Sequence, residues 1–266
     1  MAASIERVQS VRERLIADGT VCTPGGLRFD LFPVAIGPAE GAALRELVIE
    51  EGAVQTIEIG LAFAMSTLFV CEGLLANGSS GPHVAIDPYQ LKPGPVGGTT
   101  YAGVGLHTLE TAGVRELVDL REEESQIVLP RLLHEGNRFD LAFVDGNHRF
   151  EAVFLDLVYL GRLLPEGGLV FVDDTQLPSI RRAVEFCVDN LAWQVEGAGR
   201  EGSAHEWLTL RTGAPDRYQR PFTEFVDFRP RRSGPHSPSA AARGNAIIDA
   251  LSGPDTHAPG PRDTRF

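Results

Sequence analysis

Carboxylates gather where apolar runs end. Glu58 lies at the end of the run 54–59, Asp87 follows 83–86, Asp145 follows 139–144, and the pair Asp173-Asp174 follows 169–172. Surface charge ordinarily falls on helix faces and loops, so acids at the last positions of buried runs call for a reason. Oxygen ligands in this number suit a hard divalent cation such as Mg²⁺ or Ca²⁺, and Asp145, Asp173 and Asp174 are its candidate ligands. His148 follows Asp145 closely in the same segment, where an imidazole could take a proton from a substrate hydroxyl, and Asp145 is a second candidate proton acceptor. A structural reading stands beside this one: Asp174 as the cap of the next helix and Asp145 as the anchor of the turn at Gly146. His83, His107, His134 and His205 have no acidic company in the sequence and read as ordinary histidines.

The first strand runs into Glu58-Ile-Gly60-Leu-Ala-Phe-Ala64-Met-Ser66-Thr67, a small-residue turn opening a helix. Such a turn lets backbone N–H groups approach a polar or anionic ligand at the helix N-terminus. It is not the dinucleotide fingerprint G-x-G-x-x-G, and Ala64 stands where a glycine would be expected. Asp87, ending the second strand, occupies the position from which ribose hydroxyls are held in open parallel sheets. A tight strand-to-helix turn without a ligand is the alternative.

These residues need elements to position them. Helical spacing of Ile5, Val8, Val11, Leu15 and Ile16 stops at Asp18-Gly19, 23–26 is a loop, and a second amphipathic helix starts near Pro38. Strands are then expected at 54–59, 83–86, 116–120, 139–144 and 169–172, with helices at 65–75, 101–112, 126–133, 150–164 and 180–191 between and after them. Two last strands, near Val195 and at 207–210, lack a helix between them and should pair antiparallel on one edge. The alternation predicts an α/β, doubly wound, mostly parallel seven-stranded sheet with a C-terminal antiparallel hairpin. Its fourth and fifth strands should be neighbours, which would gather Asp145, Asp173 and Asp174 at one edge of a crevice beyond the carboxyl ends. Domain organisation reads as an N-terminal helical extension over 1–52, the α/β domain over 53–212, and a tail over 213–266. From Arg229 onward that tail is rich in Pro, Gly, Ser, Ala and Arg and too poor in apolar residues to bury a core, so disorder is expected.

A chain of 266 residues with a net charge of −12 is a poor match for a nucleic-acid partner. No apolar run approaches the roughly 20 residues of a membrane span, and the N-terminus turns charged at once instead of forming a signal-peptide core. Cys22, Cys71 and Cys187 form no metal or redox spacing, so a reduced, cytoplasmic setting is the expectation, with Cys71 a buried small hydrophobe.

With these residues in place, the chain resembles the class I S-adenosylmethionine-dependent methyltransferases, and within them the small-molecule O-methyltransferases of methyltransferase family 24. The resemblance rests on Glu58-x-Gly60-x-x-x-Ala64-x-Ser66, Asp87-Pro-Tyr-Gln90, Glu124-Ser125 before Leu129-Pro130, Asp145-Gly-x-His148, and 164–168 leading to Asp173-Asp174 and Pro178. It implies a Rossmann-like methyltransferase fold with S-adenosylmethionine as cofactor. Glu58, Gly60 and Ser66 would surround the methionine part, Asp87 the ribose, and Glu124 and Ser125 the adenine, while Asp145 borders the cofactor. In metal-dependent members, acids matching Asp145, Asp173 and Asp174 hold a divalent cation, here Mg²⁺, beside the acceptor hydroxyl. Ala64 departs from the family's glycine. From the residues alone, the glutamates 122–124 read as a solvated run and Ser125 as a helix N-cap.

The implied activity is O-methylation of a hydroxyl on a small molecule, a sugar or a natural product, with Gln90 and Tyr101 as candidate acceptor contacts. Two other readings stay open: a nicotinamide-dependent oxidoreductase on a related sheet, and a non-catalytic cofactor-binding protein. The N-terminal helices carry apolar stripes that could cover the site or pack on a second subunit, giving a homo-oligomer.

Overall fold

The computed structural model describes residues 3–92, 100–202 and 205–214. The tail expected to be disordered lies outside the described residues from 215 onward, as does most of the Gly/Pro-rich loop 92–98.

Two helices open the chain. Helix α1 (Ile5–Asp18) is capped by Ser4 and stopped by Gly19 in the left-handed region. Helix α2 (Pro38–Glu50) starts on a proline, whose fixed φ suits a first turn. Between them lies a hairpin of β1 (Thr20–Cys22) and β2 (Arg28–Asp30). The expected loop at 23–26 is its turn, closed by Thr23 and Leu27. Strands of three residues are too short to show alternation, so their presence was not anticipated.

The remaining elements alternate as expected: β3 (Thr56–Ile59), α3 (Met65–Ala76), β4 (His83–Ile86), α4 (Val104–Ala112), β5 (Val118–Arg121), α5 (Ser125–His134), β6 (Leu141–Val144), α6 (Phe150–Leu163), β7 (Leu169–Val172), α7 (Pro178–Asn190), β8 (Gln194–Glu201) and β9 (His205–Arg211). The strand order is β5-β4-β3-β6-β7-β9-β8, parallel from β5 to β7, with β9 antiparallel to both β7 and β8. Strands β3, β4, β6 and β7 are buried at every position, which explains why they read as apolar runs instead of alternating.

Three boundaries differ for local reasons. Residues 115–117 form a 3₁₀ turn, so the third strand of the parallel set begins at Val118. Helix α4 begins at Val104 instead of 101, because Ala102 (φ 51°) and Gly103 (φ 72°) adopt left-handed backbone. The cap of α5 is Glu124, and Ser125 is already helical, which corrects the N-cap expectation for Ser125.

Helices α1 to α4 pack together on one side of the sheet and α5 to α7 on the other. Leu44 and Val48 of α2 join Phe69 of α3 and Phe143 and Phe171 of the sheet in one core cluster, and Val8 and Val11 of α1 join Leu68 and Leu109 in another. Helix α3 is buried from Met65 to Leu74. It therefore needs partners all round, and the N-terminal helices supply them. Its one buried acid, Glu72, is bound by Arg45 at 2.7 Å, Gln9 at 2.8 Å and Arg12 at 3.3 Å, which ties α1 and α2 to α3. Burying a carboxylate is tolerable only when it is paired in this way. The free end of α2 is held by Glu201 of β8, whose Oε2 accepts from the Ala39 and Glu40 N–H groups at 3.2 Å each.

Candidate active site

The strand order reverses direction between β3 and β6, and crevices at such a switch point are where open α/β sheets take ligands. The ladder bonds run one residue past the strands: Asp145 N–H donates to Ile59 O, Asp173 to Val144 O, and Asp87 to Arg121 O. Each acid is thus the first residue beyond a buried strand, fixed in backbone and turned toward the crevice rim. At the switch point the two loops touch. Gly60 has φ +100°, and a Cβ there would lie 1.9 Å from the Asp145 carbonyl oxygen, so only glycine fits.

On one side of the crevice the turn 60–64 is held from several directions. Asp87 accepts from the Ala62 N–H through Oδ2 at 2.8 Å and from the Tyr89 N–H through Oδ1 at 2.8 Å. Gln90 donates to the Ala62 carbonyl at 2.7 Å and to Asp87 Oδ2 at 3.0 Å. Gln90 is thus a strut of the turn, fully buried, with its Oε1 left without a partner. Ala62 (φ 43°) and Ala64 (φ 65°) sit in the left-handed region, which for a residue with a Cβ costs roughly 1–2 kcal/mol each. The Asp87–Gln90 bonds are what hold Ala62 there. Ala64 caps α3 without a side-chain bond, so the first N–H groups of that helix face the crevice with no capping side chain.

Glu58 lies beneath this turn, fully buried. Ser66 donates to its Oε2 at 3.1 Å, Thr67 to its Oε1 at 2.5 Å, and His83 Nε2 is 3.4 Å from Oε1. His83 therefore does have acidic company, which the sequence alone concealed; Thr56 holds its other ring nitrogen at 2.8 Å. Glu124 and Ser125 stand at the start of α5, with Glu124 exposed and Ser125 half-buried. Tyr101 packs edge-on against Phe63, which leans on Phe29 of β2. Burial, then the charges of Asp87 and Asp145, push its hydroxyl up to about 12.

On the other side, Asp145, His148 and Asp174 bring one donor atom each to within 4.8 Å of one another. His148 Nε2 is 3.4 Å from Asp145 Oδ1 and 3.3 Å from Asp174 Oδ2. Ser179 donates to the His148 carbonyl at 2.7 Å and anchors its loop. Of the three acids expected to share a cation, two meet with His148, while Asp173 is paired with Glu40 of α2. Asp174 does not cap α7, whose cap is Leu177; it accepts from Gln176 at 2.6 Å instead.

Burial pushes Asp145 up to about 6 and Asp173 up to about 7, the latter raised further by the charges of Asp145 and Asp174. Burial, then Asp173, drives Glu40 up to about 10. The hydrogen bond to Asp145 holds the His148 imidazole above its ordinary range, with the charges of Asp145 and Asp174 adding to it.

Two residues of this half escaped the sequence reading. Glu40 looked like an ordinary first-turn helix acid, and only the packing of α2 brings it to Asp173. His205, first residue of β9, has its Nδ1 3.6 Å from Asp174 Oδ1, a contact that depends on the antiparallel return of the chain.

Residues 57–175, the span holding both halves of the crevice except Glu40 and His205, match the sequence model of a family described as a methyltransferase domain, family 24. This stretch of the chain is similar to a methyltransferase domain. Curated relatives include the transmembrane O-methyltransferase homologs of Mus musculus and Rattus norvegicus, each 29% identical over 154 residues, which cover 57% of this chain and 55% of the relative. The chain thus matches about half the length of these relatives. Among solved structures, an O-methyltransferase from Bacillus cereus in complex with SAH is 18% identical with a TM-score of 0.57, over 78% of this chain and 91% of that one. An O-methyltransferase of Streptomyces achromogenes involved in tomaymycin synthesis, in complex with SAM, is 20% identical with a TM-score of 0.59, over 80% and 92%. They share the fold of this α/β domain. No helix among the described residues is long and apolar enough to cross a membrane.

Proposed function

We propose that this protein transfers the methyl group of S-adenosylmethionine to a hydroxyl of a small molecule, a sugar or natural product, with His148 as proton acceptor. One observation carries the reading. Within the stretch similar to a methyltransferase domain, a strained turn with an uncapped helix N-terminus faces an Asp145–His148–Asp174 cluster across the switch point.

The residues fit the cofactor. Asp87, held at the rim, retains lone pairs for ribose hydroxyls, the uncapped N–H groups of α3 suit the carboxylate of the methionine part, and Ser125 opens α5 on the adenine side. Bound S-adenosylmethionine supplies a methyl carbon activated by a sulfonium. Methyl transfer is an in-line displacement, so the chain must hold the acceptor oxygen opposite the departing sulfur. The acceptor O–H bond breaks as the O–CH₃ bond forms, and the proton passes to His148 Nε2. Asp145 and Asp174 stabilise the imidazolium that results, and Asp145 orients the ring. Acids on both rims favour the cationic cofactor over its neutral product.

The donor set also fits a divalent cation held by Asp145 and Asp174, which when bound lowers the pKa of the acceptor hydroxyl. The three unpaired cysteines support a cytoplasmic setting.

The test is transfer of labelled methyl from S-adenosylmethionine to a panel of phenolic and sugar hydroxyls. Activity should rise with pH as His148 sheds its proton, above the ordinary histidine range. His148→Ala should lower kcat by roughly 10²–10⁴-fold while cofactor affinity stays within a few-fold. Unchanged kcat in that variant would remove His148 from the mechanism.

A further inference from the structure

Gln90 is fully buried, yet its Oε1 has no partner. A buried carbonyl without a donor costs free energy, so something else must fix the amide this way round. Its nitrogen supplies the reason. Nε2 lies 2.7 Å from the Ala62 carbonyl oxygen and 3.0 Å from Asp87 Oδ2. A carbonyl and a carboxylate only accept, so the nitrogen must face them and both of its hydrogens are used. Asp87 Oδ2 in turn accepts from the Ala62 N–H at 2.8 Å. The amide thus closes a ring in which both backbone groups of Ala62 are bound, one by the carboxylate and one by the amide. Among uncharged side chains, only Asn and Gln carry two hydrogens on a single nitrogen.

The amide is also clamped from behind. The main-chain carbonyl of Gln90 accepts from the Gly103 N–H at 2.7 Å and from Thr100 Oγ1 at 3.2 Å. Helix α4 then passes so close that a Cβ at Gly105 would lie 2.6 Å from the Ala62 carbonyl oxygen and 2.8 Å from Gln90 Oε1. A side chain at 105 would displace the amide, and with it the bonds to Asp87 and to the turn.

We propose that Gln90 is a positioning residue for the cofactor: with one amide nitrogen it locks the carboxylate assigned to the ribose onto the turn that leads into α3. Both are then set before S-adenosylmethionine arrives. Preorganisation of this kind raises affinity by removing the cost of ordering the two elements on binding. The inference rests on the cofactor roles proposed above for Asp87 and the start of α3.

The test is calorimetric titration of the full-length protein with S-adenosylmethionine at pH 5 and pH 8, for wild type, Gln90→Met and Gln90→Glu, each first checked for native circular dichroism. Methionine keeps length and burial and removes both donors, so affinity should fall about tenfold at either pH. In the same variant kcat at saturating cofactor should stay within about threefold. The carboxyl of Gln90→Glu replaces one donor only while protonated, and once ionised it repels Asp87. Its affinity relative to wild type at the same pH should therefore fall about tenfold or more from pH 5 to pH 8. The hydroxyls that feel the Asp87 charge, Tyr89 and Tyr101, are both held above their ordinary range, and Arg121 of the neighbouring strand is paired with Asp119. Neither tyrosine produces such a slope, and a glutamine that only supports the fold produces none either. A flat relative affinity in Gln90→Glu overturns the inference, and decides alone should Gln90→Met not fold. Gln90→Met within about twofold of wild type also overturns it, as does a defect confined to the acceptor KM, which would make Gln90 an acceptor contact. Wild-type protein that takes no S-adenosylmethionine removes the cofactor reading and this inference together. Wild type that binds, with a flat Gln90→Glu profile, removes this inference alone.

Discussion

The two rims of the crevice treat their acids in opposite ways. On the β3–β4 side, Glu58 is met by two hydroxyls and a histidine, and Asp87 by two backbone N–H groups and the Gln90 amide. On the β6–β7 side, Asp145, Asp173 and Glu40 are all pushed upward, burial being the largest cause in each. A carboxylate satisfied by the fold acts as a rigid support and can position a ligand without rearranging. One left short of donors is a site that favours whatever brings protons or positive charge. Within one crevice the fold thus supplies a finished cradle and an unfinished one.

Breaking the finished side should have the largest effect. Asp87→Ala removes the acceptor for Ala62 and Tyr89 and the ribose contact together, and S-adenosylmethionine affinity should fall on the order of a hundredfold or more. Calorimetry of a variant that keeps its native circular dichroism checks this, and a change under threefold would mean that the turn holds itself.

Relieving the unfinished side should stabilise the protein, in a pH-dependent way. In the native state Glu40 keeps its proton up to about 10, while the unfolded chain releases it above about 4.5. The native state therefore binds more protons between these values, and its stability falls as pH rises through them. Glu40→Gln removes that slope, so its advantage should be larger at pH 8 than at pH 5.5, reaching on the order of 1–3 kcal/mol. Denaturant melts at the two pH values read it directly. Parallel pH profiles for the two proteins would mean that Glu40 does not keep its proton in the native state.

The smallest effect tests the strain in the finished side. Ala64→Gly frees the left-handed cap of α3 from its Cβ, and stability should rise by about 0.5–1 kcal/mol, partly offset by the greater entropy of glycine in the unfolded chain. A loss of stability would place the strain elsewhere.

These halves differ too in how far the sequence disclosed them. Strands β3, β4, β6 and β7 were legible because burial on both faces writes them as short apolar runs, the last three followed at once by an acid and β3 carrying Glu58 next to its end. The neighbouring of β6 and β7, and the antiparallel pair at the edge, followed from chain order and connection length. The expectation of an unusual residue at Ala64 has its cause in a backbone angle that glycine normally takes. What stayed hidden was long-range or local and short. Glu40 reaches Asp173 only because Glu72 and its arginines fix α2 on α3 and Glu201 holds the end of α2. His205 reaches Asp174 only through the return of β9, and His83 meets Glu58 only through the parallel register of β3 and β4. The start of α4 was misplaced because left-handed Ala102 gives no sign in its residue type.

The central claim is that the finished rim is built to take S-adenosylmethionine. Isothermal titration of the folded, full-length protein with S-adenosylmethionine tests it most directly. The account predicts saturable one-to-one binding in the micromolar range, on the order of −8 kcal/mol, weakened about a hundredfold or more in Asp87→Ala. A folded protein that gives no heat and no thermal shift with this cofactor would contradict it.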